Sequence, residues 1–187
     1  VGTGVAGEKA LAALGVPDEA AVVEGDVADA GAGRAGLHRH HPPLEDLAVI
    51  GWDLGGAHVK AARLGPSGEV DRVRQVPCPL WQGLPHLHAA VEQLGADLGE
   101  ASLHAVTMTG EMADLFPTRR DGVEQLVDAM RRLLPDATLR FWAGADGLVD
   151  LRHAAASAAS IASANWRASA TVVAAHLPAA LFLDIGS

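Results

Sequence analysis

A short apolar run at residues 48–52 leads directly into Asp53-Leu54-Gly55-Gly56. A run of this kind predicts a buried strand, and the Gly pair after it predicts a tight turn. Glycines let backbone N–H groups approach an anion closely, while the strand delivers the Asp53 carboxylate to the same sheet edge. The stretch therefore predicts an anion-binding turn in which Asp53 holds Mg²⁺ and Gly55 and Gly56 face the anion. An ordinary β-turn that needs Asp and Gly is the alternative, and the local sequence does not separate the two.

The same pattern recurs where the chain ends, because the apolar residues 179–183 lead into Asp184-Ile185-Gly186-Ser187. Actin-like folds bring two such turns to opposite sides of a phosphate chain, so the repetition favours a phosphate clasp. Asp184 is therefore a second predicted metal ligand, and Gly186 and Ser187 are predicted to bind phosphate. The chain stops where a domain would normally continue, which predicts that a C-terminal half is missing.

Hydrophobic periodicity predicts an α/β fold with a mixed sheet flanked by helices. Strand patterns at residues 48–52, 59–64 and 70–76, joined by short turns, predict an antiparallel meander. A capping box formed by Asp121 and Glu124 predicts the start of a helix. The order of elements is that of a ribonuclease-H-like (actin/hexokinase-like) half-domain. The remaining predicted elements are helical stripes at 84–98 and 123–134, strands at 103–108, 139–142 and 179–183, and an Ala-rich helical segment at 153–176.

The first 46 residues differ from the rest of the chain. Their Gly and Pro clusters predict an unassigned extension or linker, whereas residues 47–187 are predicted to form the N-terminal part of the actin-like domain. A Gly2-x-Gly4-x-x-Gly7 pattern formally matches a dinucleotide fingerprint, but the strand that must precede such a fingerprint is missing.

Composition excludes several classes of partner. The net charge of −9 argues against a nucleic-acid partner, because nucleic-acid binding needs Lys and Arg to neutralise phosphates. We find no uninterrupted apolar run of about 18 residues, the length expected of a membrane span, so no membrane partner is predicted. Cys78 is the only cysteine, which rules out an intrachain disulfide and fits a cytoplasmic location. A homo-oligomer is compatible with the sequence.

A cluster of polar residues follows the strand pattern at 103–108. Thr109 and Gly110 come first, and Glu111 and Asp114 lie three residues apart, so they share a face if this segment is a helical turn. The planar guanidinium of Arg119 suits a phosphate or a carboxylate. The alternative is an acidic turn paired with surface arginines, and without further information this alternative is favoured.

Three further side chains are candidates for contact with a ligand. Lys60 follows the first glycine turn and can reach an anion, although strand alternation can equally turn it to solvent. Asn165 can hydrogen-bond a ligand and Trp166 can pack over one, since a polar–aromatic pair is unusual inside an Ala-rich helix. The alternative for this pair is a helix face packed on its own core.

From about residue 48 to its end, the sequence resembles the hydantoinase/oxoprolinase-related proteins of tetrahydromethanopterin-linked C1 transfer, a group in the actin-like ATPase superfamily. Archaeal members of this group are the furan-methanamine synthases of methanofuran biosynthesis. The family has Asn where this chain has His58. The segments that carry the resemblance are Val49-Ile-Gly-Trp-Asp-Leu-Gly-Gly-Ala57 with Lys60, Val106-Thr-Met-Thr-Gly-Glu-Met-Ala-Asp-Leu-Phe-Pro117, Ile161-Ala-Ser-Ala-Asn-Trp-Arg167 and Leu183-Asp-Ile-Gly-Ser187.

The resemblance implies a Mg²⁺-dependent transferase that makes a one-carbon carrier of the methanofuran type. Such an enzyme joins an aminomethyl-furan-methyl diphosphate to the phenol oxygen of a γ-glutamyl-tyramine and releases diphosphate. Loss of the phenol proton would be assisted by Glu111 or Asp114. The charge on the leaving diphosphate would be stabilised by the metal, backbone N–H groups and Arg119. An ATP-dependent kinase or hydantoinase/oxoprolinase-type hydrolase subunit, and a non-catalytic half-domain, are the alternatives.

Overall fold

The computed structural model describes residues 48–65, 68–177 and 179–183. The predicted extension at 1–46 lies outside these residues. The same is true of the second predicted turn, with Asp184, Gly186 and Ser187.

A six-stranded mixed sheet organises the described part of the chain. Its order is β3-β2-β1-β4-β5-β6. The first three strands pair antiparallel, β4 is parallel to β1, β5 is parallel to β4, and β6 is antiparallel to β5. The predicted meander and mixed sheet are confirmed. The strands are β1 (Val49–Leu54), β2 (His58–Leu64), β3 (Val70–Pro77), β4 (Leu103–Met108), β5 (Thr138–Trp142) and β6 (Leu148–Asp150).

Two 15-residue helices cover one face of the sheet. Helix α1 is Leu84–Leu98 and helix α2 is Arg119–Leu133, and both agree with the predicted helical stripes. Their buried apolar residues pack with alternate residues of β1 and β4, such as Trp52 and Val106, into the main core. Alternation along each strand turns the residues in between, including Asp53, towards the opposite face.

Three shorter helices follow β6, where one or two were predicted from the Ala-rich composition. They are α3 (Leu151–Ala154), α4 (Ala158–Ile161) and α5 (Asn165–His176). Between α4 and α5, Ser163 adopts a left-handed backbone conformation with φ of 52°, which a helix cannot contain. Helix α5 packs against Trp142 on the opposite face of the sheet through Ala164 and Ala168. In the described ranges, no helix has the length and apolar character needed to cross a membrane.

The predicted last strand is wrong. Residues 179–183 form no strand, and Leu181 is 86% exposed. The sheet ends beside β5 with β6, which the sequence analysis missed because it is only three residues long. An apolar run shows that a segment can enter a sheet, but it does not show whether a strand edge is available to it.

The predicted capping box at Asp121 and Glu124 is also wrong. Helix α2 begins earlier, with Thr118 as the N-cap, and the Asp121 N–H donates to Thr118 Oγ1 at 3.1 Å. Thr118 supplies the same capping chemistry three residues upstream. Glu124 instead pairs with Arg120 on the helix surface at 2.9 Å.

Cys78 is fully buried, and burial raises the pKa of its thiol to about 11. Only the thiolate reacts with thiol reagents, so we expect labelling by a disulfide reagent at pH 8 to be slow in the folded protein and fast in denaturant. Absorbance of the released reagent measures both rates. Equal rates in the two conditions would contradict the burial of this side chain.

Candidate functional site

Two buried polar side chains lie next to each other where β1 and β4 end. Asp53 and Thr107 are paired residues of the two parallel strands, so both point to the face away from α1 and α2. Asp53 is only 2% exposed and Thr107 is fully buried. Asp53 Oδ1 and Thr107 Oγ1 have no hydrogen-bond partner among the described residues. Buried oxygens without partners are rare and mark places that a water, ion or ligand completes.

Lys60 is a third polar residue at this sheet edge, next to Asp53 and on the side away from Thr107. It is the β2 residue paired with Asp53, and its Nζ lies 3.4 Å from Asp53 Oδ2. The Lys60 side chain is 29% exposed, so it lies at the rim and is not turned fully to solvent. The ammonium group therefore occupies one carboxylate oxygen and leaves Oδ1 for another partner.

The two glycines of the turn after β1 have different surroundings. The Gly55 N–H donates to His58 O at 3.0 Å, and a Cβ at Gly55 would lie 2.7 Å from that oxygen. Gly55 is therefore required by the turn itself, and its N–H is already used there. Gly56 has open space at its Cβ position and accepts the Leu80 N–H at 3.0 Å. Of the two glycines of this turn, Gly56 is the one with open space at its Cβ position.

The segment after β4 packs directly on this turn. The Thr109 N–H donates to Leu54 O at 3.0 Å, and a Cβ at Gly110 would lie 3.1 Å from the same oxygen. A single 3-10 turn, Gly110–Met112, then places Glu111 in the interior, where it is 1% exposed. The structure brings this segment, which the sequence analysis proposed as part of a site, to the same sheet edge as Asp53.

Glu111 holds one hydrogen bond and has one free oxygen. Its Oε1 accepts from Ser163 Oγ at 2.5 Å, and its Oε2 has no partner among the described residues. Ser163 Oγ also accepts from Arg119 Nη2 at 3.4 Å. Sequence analysis missed Ser163, although it lies in the distinctive Ala-Ser-Ala-Asn-Trp segment. A non-glycine residue in the left-handed region is strained, and such strain clusters at functional sites.

Asp114 is not buried together with Glu111. The 3-10 turn ends at Met112, Ala113 is extended, and Asp114 is exposed to solvent. The prediction that the two carboxylates share a helical face is therefore wrong, because the turn is too short to bring residues three apart onto one face.

Asn165 and Trp166 lie at the start of α5. Asn165 Oδ1 accepts the Trp166 N–H at 2.8 Å, and Trp166 is 56% exposed. The alternative that this pair packs into the core is wrong for Trp166, whose ring faces solvent. A cavity of about 220 Å³ lies beside it and has Ser163 in its wall.

The oxygen atoms at the sheet edge fit a hydrated magnesium ion. Mg²⁺ prefers oxygen ligands and is usually held by one or two carboxylates, while water and substrate phosphates complete its shell. Asp53 Oδ1 and Thr107 Oγ1 are such oxygens, and both lack partners. The described residues contain no group of three His, Cys, Asp or Glu side chains that could hold a metal ion.

Packing behind Glu111 gives a test of how its position is maintained. A Cβ at Gly122 of α2 would lie 2.8 Å from Glu111 Cα, Cβ and O, so Gly122→Ala must displace the Glu111 backbone. We expect it to lower the free energy of unfolding by about 1–3 kcal/mol, the usual cost of overpacking. Gly95→Ala in α1 meets nothing within 4 Å and should raise that free energy by about 0.5–1 kcal/mol.

Urea denaturation of the two glycine variants measures both effects. Equal stability of Gly122→Ala and Gly95→Ala would show that α2 does not press on Glu111.

A larger cavity, of about 810 Å³, lies at the opposite end of the sheet and has His104 in its wall. Trp52 Nε1 donates to His104 Nδ1 at 2.9 Å, which leaves Nε2 to carry the hydrogen and donate to Ala101 O at 3.0 Å. Burial lowers the pKa of His104 and so favours this neutral form. Both ring nitrogens are occupied, so His104 is better explained as a structural residue than as a ligand-binding one.

No family model matches the chain. The chain is similar to a (4-{4-[2-(gamma-L-glutamylamino)ethyl]phenoxymethyl}furan-2-yl)methanamine synthase from Methanocaldococcus jannaschii, with 23% identity over 142 residues. The match covers 75% of this chain and 41% of the relative, so the chain spans less than half the length of that enzyme. The similarity relates the chain distantly to a biosynthetic enzyme.

Proposed function

We propose that this chain forms part of a transferase of methanofuran-type biosynthesis, which would act in the cytoplasm. The reaction joins the methylene carbon of an aminomethyl-furan-methyl diphosphate to the phenol oxygen of a γ-glutamyl-tyramine. The observation that carries the proposal is the row of buried oxygens without partners, Asp53 Oδ1 and Thr107 Oγ1, at the sheet edge where Glu111 also lies. The distant similarity to a furan-methanamine synthase supplies the class of substrates.

The fold supports an actin-like assignment within this proposal. Three antiparallel strands followed by two strands parallel to the first, in the order β3-β2-β1-β4-β5, are what a ribonuclease-H-like half-domain requires. The candidate site lies at the carboxyl ends of β1 and β4, where open α/β sheets bind their ligands. The second turn of the clasp would come from Asp184, Gly186 and Ser187.

The diphosphate end of the donor is assigned to the Asp53 edge. Lys60 holds one oxygen of Asp53, so the other oxygen points to a fixed position together with Thr107. Magnesium bound by these oxygens would neutralise phosphate charge. The open Gly56 position and Thr109 and Gly110 would line the phosphates, and the Arg119 guanidinium would bind them from the other side.

The phenol end of the acceptor is assigned to Glu111. As the phenol oxygen forms its bond to the methylene carbon, the bond from that carbon to the diphosphate breaks. The phenol proton passes to Glu111 Oε2, the oxygen without a partner, while Ser163 holds Oε1. Asp114 is the second candidate for this base, and its exposure makes it the weaker one because water competes for its oxygens.

The proposal is tested by assaying the full-length protein for diphosphate release. We expect release that requires the furan diphosphate, the phenolic acceptor and Mg²⁺ together, with the ether identified by mass spectrometry. Absence of the ether at any Mg²⁺ concentration would reject the proposal.

An ATP-dependent enzyme is the second candidate, because the same strand order and glycine turn suit nucleotide phosphates. Isothermal titration of the full-length protein separates the two functions. Binding of Mg-ATP without binding of the furan diphosphate would favour a kinase or hydantoinase/oxoprolinase-type hydrolase. Binding of neither ligand would favour a non-catalytic half-domain.

A further inference from the structure

A cavity of about 220 Å³ has in its wall Ser163, the residue that hydrogen-bonds to Glu111, and it lies outside the proposed diphosphate site. It is bounded by the 3-10 turn Gly144–Asp146 on one side and by the start of α5 on the other. Its wall contains the hydroxyl-bearing residues Ser160 and Ser163, as well as Trp166 and Arg167. The volume is below the roughly 300 Å³ at which pockets for whole drug-sized ligands begin, so the cavity suits one end of a substrate.

Arg167 is the charged residue in the wall of this cavity. Its side chain lies against the glycine turn, since a Cβ at Gly144 would be 3.5 Å from Arg167 Cδ and 3.7 Å from Nη1. The guanidinium makes no hydrogen bond or ion pair with any residue in the described ranges. Asp146, the acidic residue of the same turn, is exposed and does not line the cavity. Arg167 is exposed, and an exposed guanidinium at a cavity wall without an acidic partner can bind an anionic ligand, with a planar fork that fits a carboxylate or a phosphate.

Two further features of the cavity bear on how a ligand would be oriented in it. Trp166 places a 56% exposed indole ring at its mouth, and such a ring offers a flat surface to an aromatic ligand. Ser163 lines the cavity and also donates its hydroxyl hydrogen to Glu111 Oε1. Ser163 is therefore the residue that connects the cavity to Glu111.

We propose that this cavity binds the amino-acid end of the phenolic acceptor, with Arg167 pairing with its carboxylate. The inference rests on the proposed function for the identity of the ligand. The product named for the similar enzyme carries a γ-glutamyl group at one end and a phenoxymethyl ether at the other. Binding of the γ-glutamyl carboxylate at Arg167 leaves the phenol free to reach Glu111, so one molecule connects the two sites.

The test compares γ-glutamyl-tyramine with tyramine, which lacks the carboxylate, in the full-length protein. For Arg167→Gln we expect the KM for γ-glutamyl-tyramine to rise about 10- to 100-fold, as for the loss of one charge-assisted pair. The kcat, the KM for the furan diphosphate and all constants for tyramine should stay unchanged. Arg167→Lys, which keeps the charge but loses the fork, should lie in between. The matched control is Arg152→Gln, which removes an exposed arginine that pairs with Asp150.

Calorimetric titration of the acceptor, without the furan diphosphate, distinguishes failure of this inference from failure of the proposed function. If the parent protein catalyses the transfer and Arg167→Gln has the same kcat and KM values as the parent, the inference is overturned and the proposed function stands. Binding of γ-glutamyl-tyramine that depends on Arg167, without any transfer, would support the cavity assignment and reject the transferase. A parent protein that shows neither binding nor transfer would overturn both, and a raised KM for the furan diphosphate would reassign Arg167 to the phosphates.

Discussion

Glu111→Gln in the full-length protein is expected to lower kcat by about 10²- to 10⁴-fold, the usual contribution of a positioned general base. The amide has nearly the shape of the carboxylate, but it cannot take a proton from the phenol. Its KM values should change little, because Ser163 and the packing of α2 hold the side chain in place whether or not it is charged. Stopped assays of diphosphate release at saturating substrates measure the effect.

Glu92→Gln is the matched control for this change. Glu92 is an exposed glutamate of α1, a helix on the opposite face of the sheet from Asp53, so its loss should leave kcat unchanged. Asp114→Asn is expected to cost less than Glu111→Gln because the Asp114 carboxylate is exposed. A value of kcat within threefold of the parent for Glu111→Gln would remove Glu111 from the role of base. A larger loss for Asp114→Asn would transfer that role to Asp114.

Local pattern was enough to predict most of the sheet and both long helices. Strand β1 is apolar at nearly every position, and the structure buries it on both faces. Helix α1 has its large apolar residues at intervals of three and four, which is the spacing that covers a sheet with one helical face; they are Leu84, Leu87, Val91, Leu94 and Leu98. Both predictions depend on periodicity along a single element, and periodicity is visible in a sequence.

Contacts between distant segments could not be predicted in the same way. Ser163 and Glu111 are 52 residues apart, and the local sequence of neither segment identifies the other as its partner. The failed strand at 179–183 has the same cause, because a strand forms only where a distant segment pairs with it, and the sequence of the run does not show such a partner. Lys60 shows the intermediate case: its place in β2 was predicted, but its pairing with Asp53 depends on the register of the hairpin.

The arrangement of unpartnered oxygens connects the fold to the proposed chemistry. An oxygen buried without a hydrogen-bond partner costs free energy, and Asp53, Thr107 and Glu111 each bring to this sheet edge one oxygen that has no partner among the described residues. A ligand that completes these hydrogen bonds or coordinates these oxygens recovers that cost on binding. Binding should therefore stabilise the protein, and the stabilisation should depend on the same side chains as turnover does.

Asp53→Asn gives the sharpest test of this connection. The amide has no charge with which to bind Mg²⁺, and it leaves the Lys60 ammonium without its charged partner. We therefore expect turnover to fall by about 10²- to 10³-fold, which corresponds to the loss of several kcal/mol of charge stabilisation. A second measurement does not depend on activity. Mg²⁺ with diphosphate should raise the Tm of the parent protein, because a ligand that binds the folded state stabilises it, and this rise should be absent in Asp53→Asn.

Asp71→Asn is the matched control for Asp53→Asn, since it removes an exposed carboxylate of β3 that pairs with Arg63, 3.6 Å away, and it should keep both the turnover and the Tm rise. The double variant Asp53→Asn with Lys60→Gln then distinguishes the effect of the unpaired Lys60 charge from the loss of metal binding. If the Lys60 charge alone were responsible, the double variant would regain turnover. If Asp53 holds the metal, turnover stays low in the double variant and Mg²⁺ with diphosphate still leaves its Tm unchanged. A normal Tm rise in Asp53→Asn would place the metal elsewhere and would remove Asp53 from the proposed site.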